Sequence, residues 1–417
     1  MTTATEALTD QGSMPPPEPT LSPADMLARA ASLRPYLLAH QSECEALGRV
    51  SDEVCDVLVK AGFFRIVQPR RFGGYEFDVP TFYRVMMEVA RGCPETGWVL
   101  ALTAGHPLLL AAFPVEAQVE AYGPAGELRC PAAFNPPGTA VPVDGGYNIT
   151  GTWASASGID LSTHFIGMAI VKGPDQAEPG LPIQMILGRD EFEILDDWRV
   201  MGMQGTGSRS VRVTDRFVPE HRTVRVAGAQ RGAQAAPTRR TYANPMYHGR
   251  IGPFLIGEAT AVAVGGARGA LDHYELSLIG KRGLFPPHLE RLEDPEFQRH
   301  YGQALALVST AEAALLRAGE DFMDLARAEA DGGEPFGDEQ EHRLTLIEQQ
   351  CVRMAWEAVE LIFRTAGTSA SAKAGAPIGR ALRSLAVINT HPALQLDRTA
   401  VAAARTRLGK STEQAPL

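Results

Sequence analysis

The stretch Gly145–Gly158, GGYNITGTWASASG, holds the residue types whose spacing best suits chemistry. It opens on a Gly-Gly turn signal and runs into a strand, with Tyr147 and Ile149 on one face and Asn148 and Thr150 on the other. Gly151, Trp153, Ser155, Ser157 and Gly158 then set one large ring among small hydroxyls and glycines. That composition suits a planar ligand pressed against backbone and hydrogen-bonded along its edge. The same residues also describe an ordinary sandwich strand with a core tryptophan, because buried Trp is common on strands and Ser and Gly are common in turns. A second stretch, Gly202–Ser208 (GMQGTGS), carries three glycines and two hydroxyls that can bring backbone N–H groups close to a ligand, or simply form a turn. No Lys follows its last Gly, and no GxGxxG opens a helix after a strand, so neither a P-loop nor a dinucleotide fold is indicated. His106 precedes Pro107, which disfavours helix at the His and places the imidazole near a helix end or kink.

The chain that must position these residues has 417 of them, enough for two or three domains, and a net charge of −10. An acidic balance argues against a nucleic-acid or anionic-membrane partner. Five scattered cysteines (Cys44, Cys55, Cys93, Cys130, Cys351) without ligand spacing argue against a disulfide framework or a structural zinc, so no metal is expected. A reducing cytoplasm fits that usage. No apolar run approaches the roughly 18 residues of a membrane span, and the N-terminus lacks the order of a signal peptide.

Residues 1–23, proline-rich and poor in apolar side chains, are expected to form a disordered tail. A helical domain is expected over 24–129, with Ser51 capping one helix, Asp78 and Pro80 opening another, and an apolar helix running from about Thr96 to His106. Between 130 and 226 the period becomes alternating, which predicts a small β domain with strands at Phe165–Val171, Ile183–Leu187, Phe192–Val200 and Val211–Val218 besides the central stretch. A Gly/Ala/Arg/Thr-rich linker over 227–243 leads into a second helical region, 244–417. Its long segments are Ile251–Gly283, Pro295–Ala330 and Asp338–Thr365, followed by Pro377–Val387 and Pro392–Leu408, in the pattern of an up-and-down bundle.

Helices, a small β domain and a helical bundle, in that order, resemble the acyl-CoA dehydrogenase fold over nearly the whole chain. The expected class is therefore α+β, with an N-terminal helical domain, a central β-barrel or sandwich and a C-terminal four-helix bundle. The strings Arg70–Trp98, Gly145–Phe165 and Asp196–Val224 are similar to those of two-component flavin-dependent monooxygenases built on that fold, the group of hydroxyphenylacetate hydroxylases, dibenzothiophene monooxygenase and amino-sugar N-oxygenases. One departure separates this chain from the dehydrogenases. Where they carry a Glu base two residues before a Pro, this sequence has Gly375 before Pro377, which cannot abstract a proton; a base on another helix would keep a flavin dehydrogenase or oxidase as the alternative.

The resemblance implies an oxygenase that takes reduced FMN or FAD from a separate NAD(P)H-dependent reductase and uses O2, through a C4a-hydroperoxide, to oxidise a small aromatic or heteroatom-bearing molecule. It implies Ser157 beside the C4a/N5 edge of the flavin, Trp153, Ser155 and Gly158 lining the ring, and His391 reaching the same pocket, with His106 approaching from the N-terminal domain. Arg282 and Phe285 match positions that hold the flavin of a neighbouring subunit, which implies a homotetramer, and Gly367, Thr368 and Ser369, after the third long helix, are further expected cofactor contacts. A helix-end histidine or arginine can equally be structural or solvated.

Overall fold

The computed structural model describes residues 14–172, 180–226 and 237–410. Residues 1–13 of the expected tail and 227–236 of the expected linker lie outside them. Met14–Ser22, placed in that tail on composition, are seated on the folded body: Met14 N donates to the Arg71 carbonyl and Arg29 pairs with Glu18 at 2.7 Å.

Six N-terminal helices follow: α1 (Pro23–Leu47), α2 (Asp52–Lys60), α3 (Val79–Gly92), α4 (Pro94–Ala104), α5 (Pro107–Leu110) and α6 (Val115–Tyr122). Their starts are set by side chains that accept from otherwise orphaned N–H groups: Ser22 in a capping box with Asp25, Ser51 from Val54, Asp78 from Thr81. Each such cap contributes about 1 kcal/mol.

The sheet has seven strands, β1 (Ala132–Val143), β2 (Gly146–Ala156), β3 (His164–Val171), β4 (Pro182–Gly188), β5 (Glu193–Ile194), β6 (Arg209–Pro219) and β7 (Thr223–Arg225), in the order β5-β6-β2-β1-β3-β4-β7. Only the β1–β3 pair is parallel. Alternation splits the sheet faces as strand geometry requires. Trp153, Phe165, Met185, Leu187 and Val211 fill one apolar core, while Ile166 and Ile186 point the other way onto Leu110, Phe113 and Tyr122 of the N-terminal helical region.

Three expectations for these elements are corrected. The strand predicted over Phe192–Val200 is a strand only at Glu193–Ile194: Leu195 N still donates to the Ser210 carbonyl at 2.9 Å, but Ser210 N turns to the Asp197 side chain at 2.9 Å and the ladder ends there. The helix predicted to reach Gly283 ends at Leu278. The one predicted over Pro392–Leu408 divides into a 3-10 turn at Pro392–Leu394 and a helix from Leu396.

The C-terminal region contains α7 (Ile251–Leu278), α8 (Pro295–Ala330), α9 (Asp338–Thr365), the single turn α10 (Thr368–Ser371), α11 (Pro377–Ile388) and α12 (Leu396–Arg407). By length and composition α7 could cross a membrane, but most of its apolar residues are buried inside the protein. One partner is α3: Gly269 approaches the Arg91 carbonyl too closely for a side chain, and Arg91 grips Asp272 with two hydrogen bonds of 2.6 and 2.7 Å. A single apolar core therefore runs through both helical regions, joining Phe82, Val85 and Leu100 to Val262, Leu315, Val352 and Leu385. All five cysteines are buried and unpaired, and burial pushes the thiols of Cys93 and Cys351 up to about 12.

Candidate active site

The site begins with a fault in the sheet. Trp153 pairs with Val211 and Ala156 with Arg209, so β2 spends three residue steps where β6 spends two. The extra residue is a β-bulge, and Ser155 adopts φ +61° within it, its side chain exposed. The strand direction is reset there, and Ser157 comes out on the side of the helices. Gly158, at φ +76°, leaves no room for a Cβ, which would lie 2.7 Å from a Val99 methyl of α4. Sheet end and helix can thus touch. Trp98, on that helix, donates its indole N–H to Ser157 Oγ at 3.0 Å.

The Gly202–Ser208 loop supplies the other side. Gly158 N donates to the Thr206 carbonyl at 2.9 Å. Ser157 Oγ lies 2.7 Å from Ser208 Oγ, Ser208 Oγ lies 2.6 Å from Thr206 Oγ1, and Thr206 Oγ1 donates to the Met203 carbonyl at 2.8 Å. On α4, one turn before Trp98, the buried Glu95 carboxylate accepts from Gly205 N at 3.1 Å, and burial pushes its pKa up to about 7.

His391 reaches this group from the far end of the chain. α11 stops at Ile388, Pro392 starts the next turn, and the buried Gln349 of α9 donates to the Ala393 carbonyl at 2.9 Å. The imidazole meets the Trp98 ring edge-on, with centroids 5.8 Å apart. Its surface is exposed, yet enough protein surrounds it for burial to lower its pKa below the ordinary 6.5. Neither ring nitrogen has a hydrogen-bond partner among the described residues, so the neutral imidazole is available to a ligand.

The other residues singled out in the sequence lie elsewhere. Trp153 takes the core role: its ring is fully buried against Phe165, and its N–H donates to the Met168 carbonyl at 2.8 Å. His106 is 3 % exposed and has a partner on each nitrogen, the Cys130 carbonyl 2.6 Å from Nδ1 and Glu258 3.5 Å from Nε2. Burial pushes the Glu258 carboxyl up to about 7, against the opposing pull of His106. Arg282 and Phe285 sit on an excursion between α7 and α8, the first 69 % exposed and paired only loosely with Glu290 at 3.7 Å, the second 78 % exposed. Arg291 ties this excursion to the Gly367–Ser369 turn by donating to the Ala366 carbonyl at 2.9 Å. These candidates form a second group, with no direct contact to the Ser157 group among the described residues. Trp98, Thr206 and Ser208 were not named as site residues from sequence; for Thr206 and Ser208 the available signal was their place in the glycine-rich loop, and for Trp98 there was only its place on an apolar helix.

Two family models match the chain, "Acyl-CoA dehydrogenase, N-terminal domain" over residues 30–125 and "Acyl-CoA dehydrogenase, C-terminal domain" over 258–396. The oxygenase subunit HsaA of a flavin-dependent monooxygenase from Rhodococcus jostii is 31% identical over 392 residues, 90% of this chain and 96% of that one. The oxygenase component of an FADH(2)-dependent resorcinol hydroxylase from Rhizobium is 31% identical over 78% of each chain. Among solved structures, the 3-HSA hydroxylase from Rhodococcus matches with a TM-score of 0.85 and 28% identity over 93% of this chain and 97% of that one. XiaF from Streptomyces, solved with FADH2 and glycerol, shares the fold with a TM-score of 0.86 at 23% identity, over 95% of this chain and 98% of that one. The chain belongs to the oxygenase subunits of flavin-dependent monooxygenases built on the acyl-CoA dehydrogenase fold. That branch, and not the dehydrogenase or oxidase alternative, is the one the relatives occupy.

Proposed function

We infer that this chain takes reduced FMN or FAD from a separate NAD(P)H-dependent reductase and, with O2, hydroxylates a small phenol-like aromatic. The observation that carries this reading is the meeting of Ser157, Trp98 and His391, three neutral polar groups from three distant segments, with Trp98 touching both of the others. These residues fit a reduced flavin: Ser157 Oγ keeps acceptor capacity beyond the indole N–H, and the His391 nitrogens are unengaged. Ser157, with the exposed Ser155 and the Gly158 backbone, would hold the C4a/N5 edge. When bound, the flavin supplies two electrons and the site of oxygen activation.

The protein's share is orientation, water exclusion and proton handling. Indole and hydroxyls fix the ring edge without introducing charge, and His391, neutral near pH 7, takes the proton of a phenol as its ring becomes nucleophilic. The phenol class is supported by relatives named resorcinol hydroxylase and p-hydroxyphenylacetate 3-hydroxylase. Arg282, Phe285 and Gly367–Ser369 serve the flavin of a neighbouring subunit in a homotetramer, a role their exposure suits. His106 is a positioning residue of the N-terminal helices. The four-helix arrangement of the C-terminal region, and the division into domains at 130 and 226, belong to the same reading.

The test is anaerobic loading with photoreduced FMN or FAD, then addition of O2 with resorcinol or p-hydroxyphenylacetate. A hydroxylated product is expected, and NAD(P)H without a reductase should give none. Quantitative release of hydrogen peroxide with every phenol offered would overturn the substrate class; turnover on NAD(P)H alone would overturn the two-component assignment.

A further inference from the structure

The hydroxyl chain beside Ser157 has a direction. Its far end is the Met203 carbonyl, which can only accept, and which also receives Trp198 Nε1–H at 3.0 Å and Thr206 N–H at 3.2 Å. Thr206 must point its single hydroxyl hydrogen at that carbonyl, since two lone-pair oxygens at 2.8 Å would repel. The 2.6 Å contact between Thr206 and Ser208 then requires Ser208 to donate. The 2.7 Å contact between Ser208 and Ser157 requires Ser157 to donate in turn. Ser157 also accepts the Trp98 indole hydrogen. Its only proton is therefore spoken for, and one lone pair remains.

We propose that Thr206 and Ser208 are positioning residues that fix Ser157 as a hydrogen-bond acceptor and thereby make the site select reduced over oxidised flavin. This rests on the flavin reading above. Reduced flavin carries an N–H at N5, whereas oxidised flavin presents a lone pair there. An acceptor opposite N5 is satisfied by the first and faces a lone pair in the second. Chemistry a hydroxyl would normally leave undecided, since it can donate or accept, is decided by a carbonyl three oxygens away. Thr206, Ser208 and Ser157 are all buried, at 1 %, 5 % and 6 % exposure, so water is poorly placed to reverse the chain.

The experiment is anaerobic titration of the full chain with oxidised and photoreduced FMN and FAD, reading the ratio of the two dissociation constants. The native protein is expected to prefer the reduced form. In Ser208→Ala the Ser157 proton is released to donate, so oxidised flavin should bind about fivefold tighter and the ratio should fall by about that factor. Thr206→Val should act the same way, by letting Ser208 turn and donate to Ser157, and it serves if Ser208→Ala does not fold. Thr206→Ser keeps the oxygen and should keep the native ratio, which a merely structural role for the threonine methyl would not do. An unchanged ratio in a folded Ser208→Ala or Thr206→Val protein overturns the proposal while leaving the flavin reading intact. A native protein that binds neither redox state overturns both.

Discussion

The chain contains two His-Pro pairs at helix ends, His106-Pro107 and His391-Pro392, and the structure gives them opposite environments. His106 is enclosed between the Cys130 carbonyl and Glu258, each nitrogen facing a partner. A carbonyl cannot donate, so Nδ1 carries the hydrogen of that contact, and Nε2 faces the Glu258 carboxyl. His391 has the edge of an indole on one side and exposed surface, with no hydrogen-bond partner on either ring nitrogen among the described residues. The lesson is that the partner count of a histidine, more than its burial or its sequence context, separates a side chain that holds helices together from one left available for catalysis.

The largest test of that contrast is His391→Ala. Losing a general base should lower turnover on a phenol by about 10²-fold, with reduced-flavin affinity nearly unchanged. Normal hydroxylation per reduced flavin in the variant would erase the distinction between the two histidines. His106→Ala should do the reverse, lowering unfolding free energy by about 2–3 kcal/mol, as expected when a buried carboxyl loses its histidine partner, while turnover per folded molecule stays within about threefold. Chemical denaturation beside steady-state rates separates the two outcomes.

The pH behaviour sharpens the comparison. Burial raises the Glu258 carboxyl in the folded protein to about 7 from its ordinary 4.5, so the folded state holds the extra proton between those limits. Stability should then decline as pH rises from 4.5 to about 7 and level off above, by up to about 3 kcal/mol, and Glu258→Gln should flatten that part of the curve. The buried Glu95, also raised to about 7, adds a slope of the same sign, so the Glu258 share is the difference between native and variant. His391 has the opposite shift: its acid limb in kcat should fall below pH 6.5 and vanish in His391→Gln. The smallest expected effect belongs to Trp98→Phe, which keeps the ring against His391 but removes the N–H on Ser157. A hydrogen bond of about 1 kcal/mol corresponds to about a fivefold change, here in hydrogen peroxide released per product formed.

Much of the scaffold was legible because its signals are local. Caps at Ser51 and Asp78 and the helices Pro295–Ala330 and Asp338–Thr365 follow from residues within a turn of one another. β1 was not, since Asn135-Pro136-Pro137-Gly138 interrupts its alternation; its register with β3 shifts between Ala133 and Gly138. In the site, Ser157 and His391 came through resemblance, and the two readings of Trp153 could not be separated until its N–H was seen to close on Met168. Trp98 and Glu258 escaped for a common reason. Each acquires its meaning from a contact across 59 or 152 positions of chain, Trp98 with Ser157 and Glu258 with His106, and helical periodicity describes both simply as inward-facing.

The buried thiols bear on how long such a protein survives its own chemistry. An oxygenase that leaks hydrogen peroxide bathes itself in an oxidant that attacks thiolates far faster than thiols. Here every cysteine is removed from solvent, and burial raises the pKa of each, holding the sulfur in its unreactive protonated form. The sequence offers five places for oxidative self-inactivation, and the fold closes all of them, so wasted turnovers cost reducing equivalents without accumulating damage at sulfur in the cysteines.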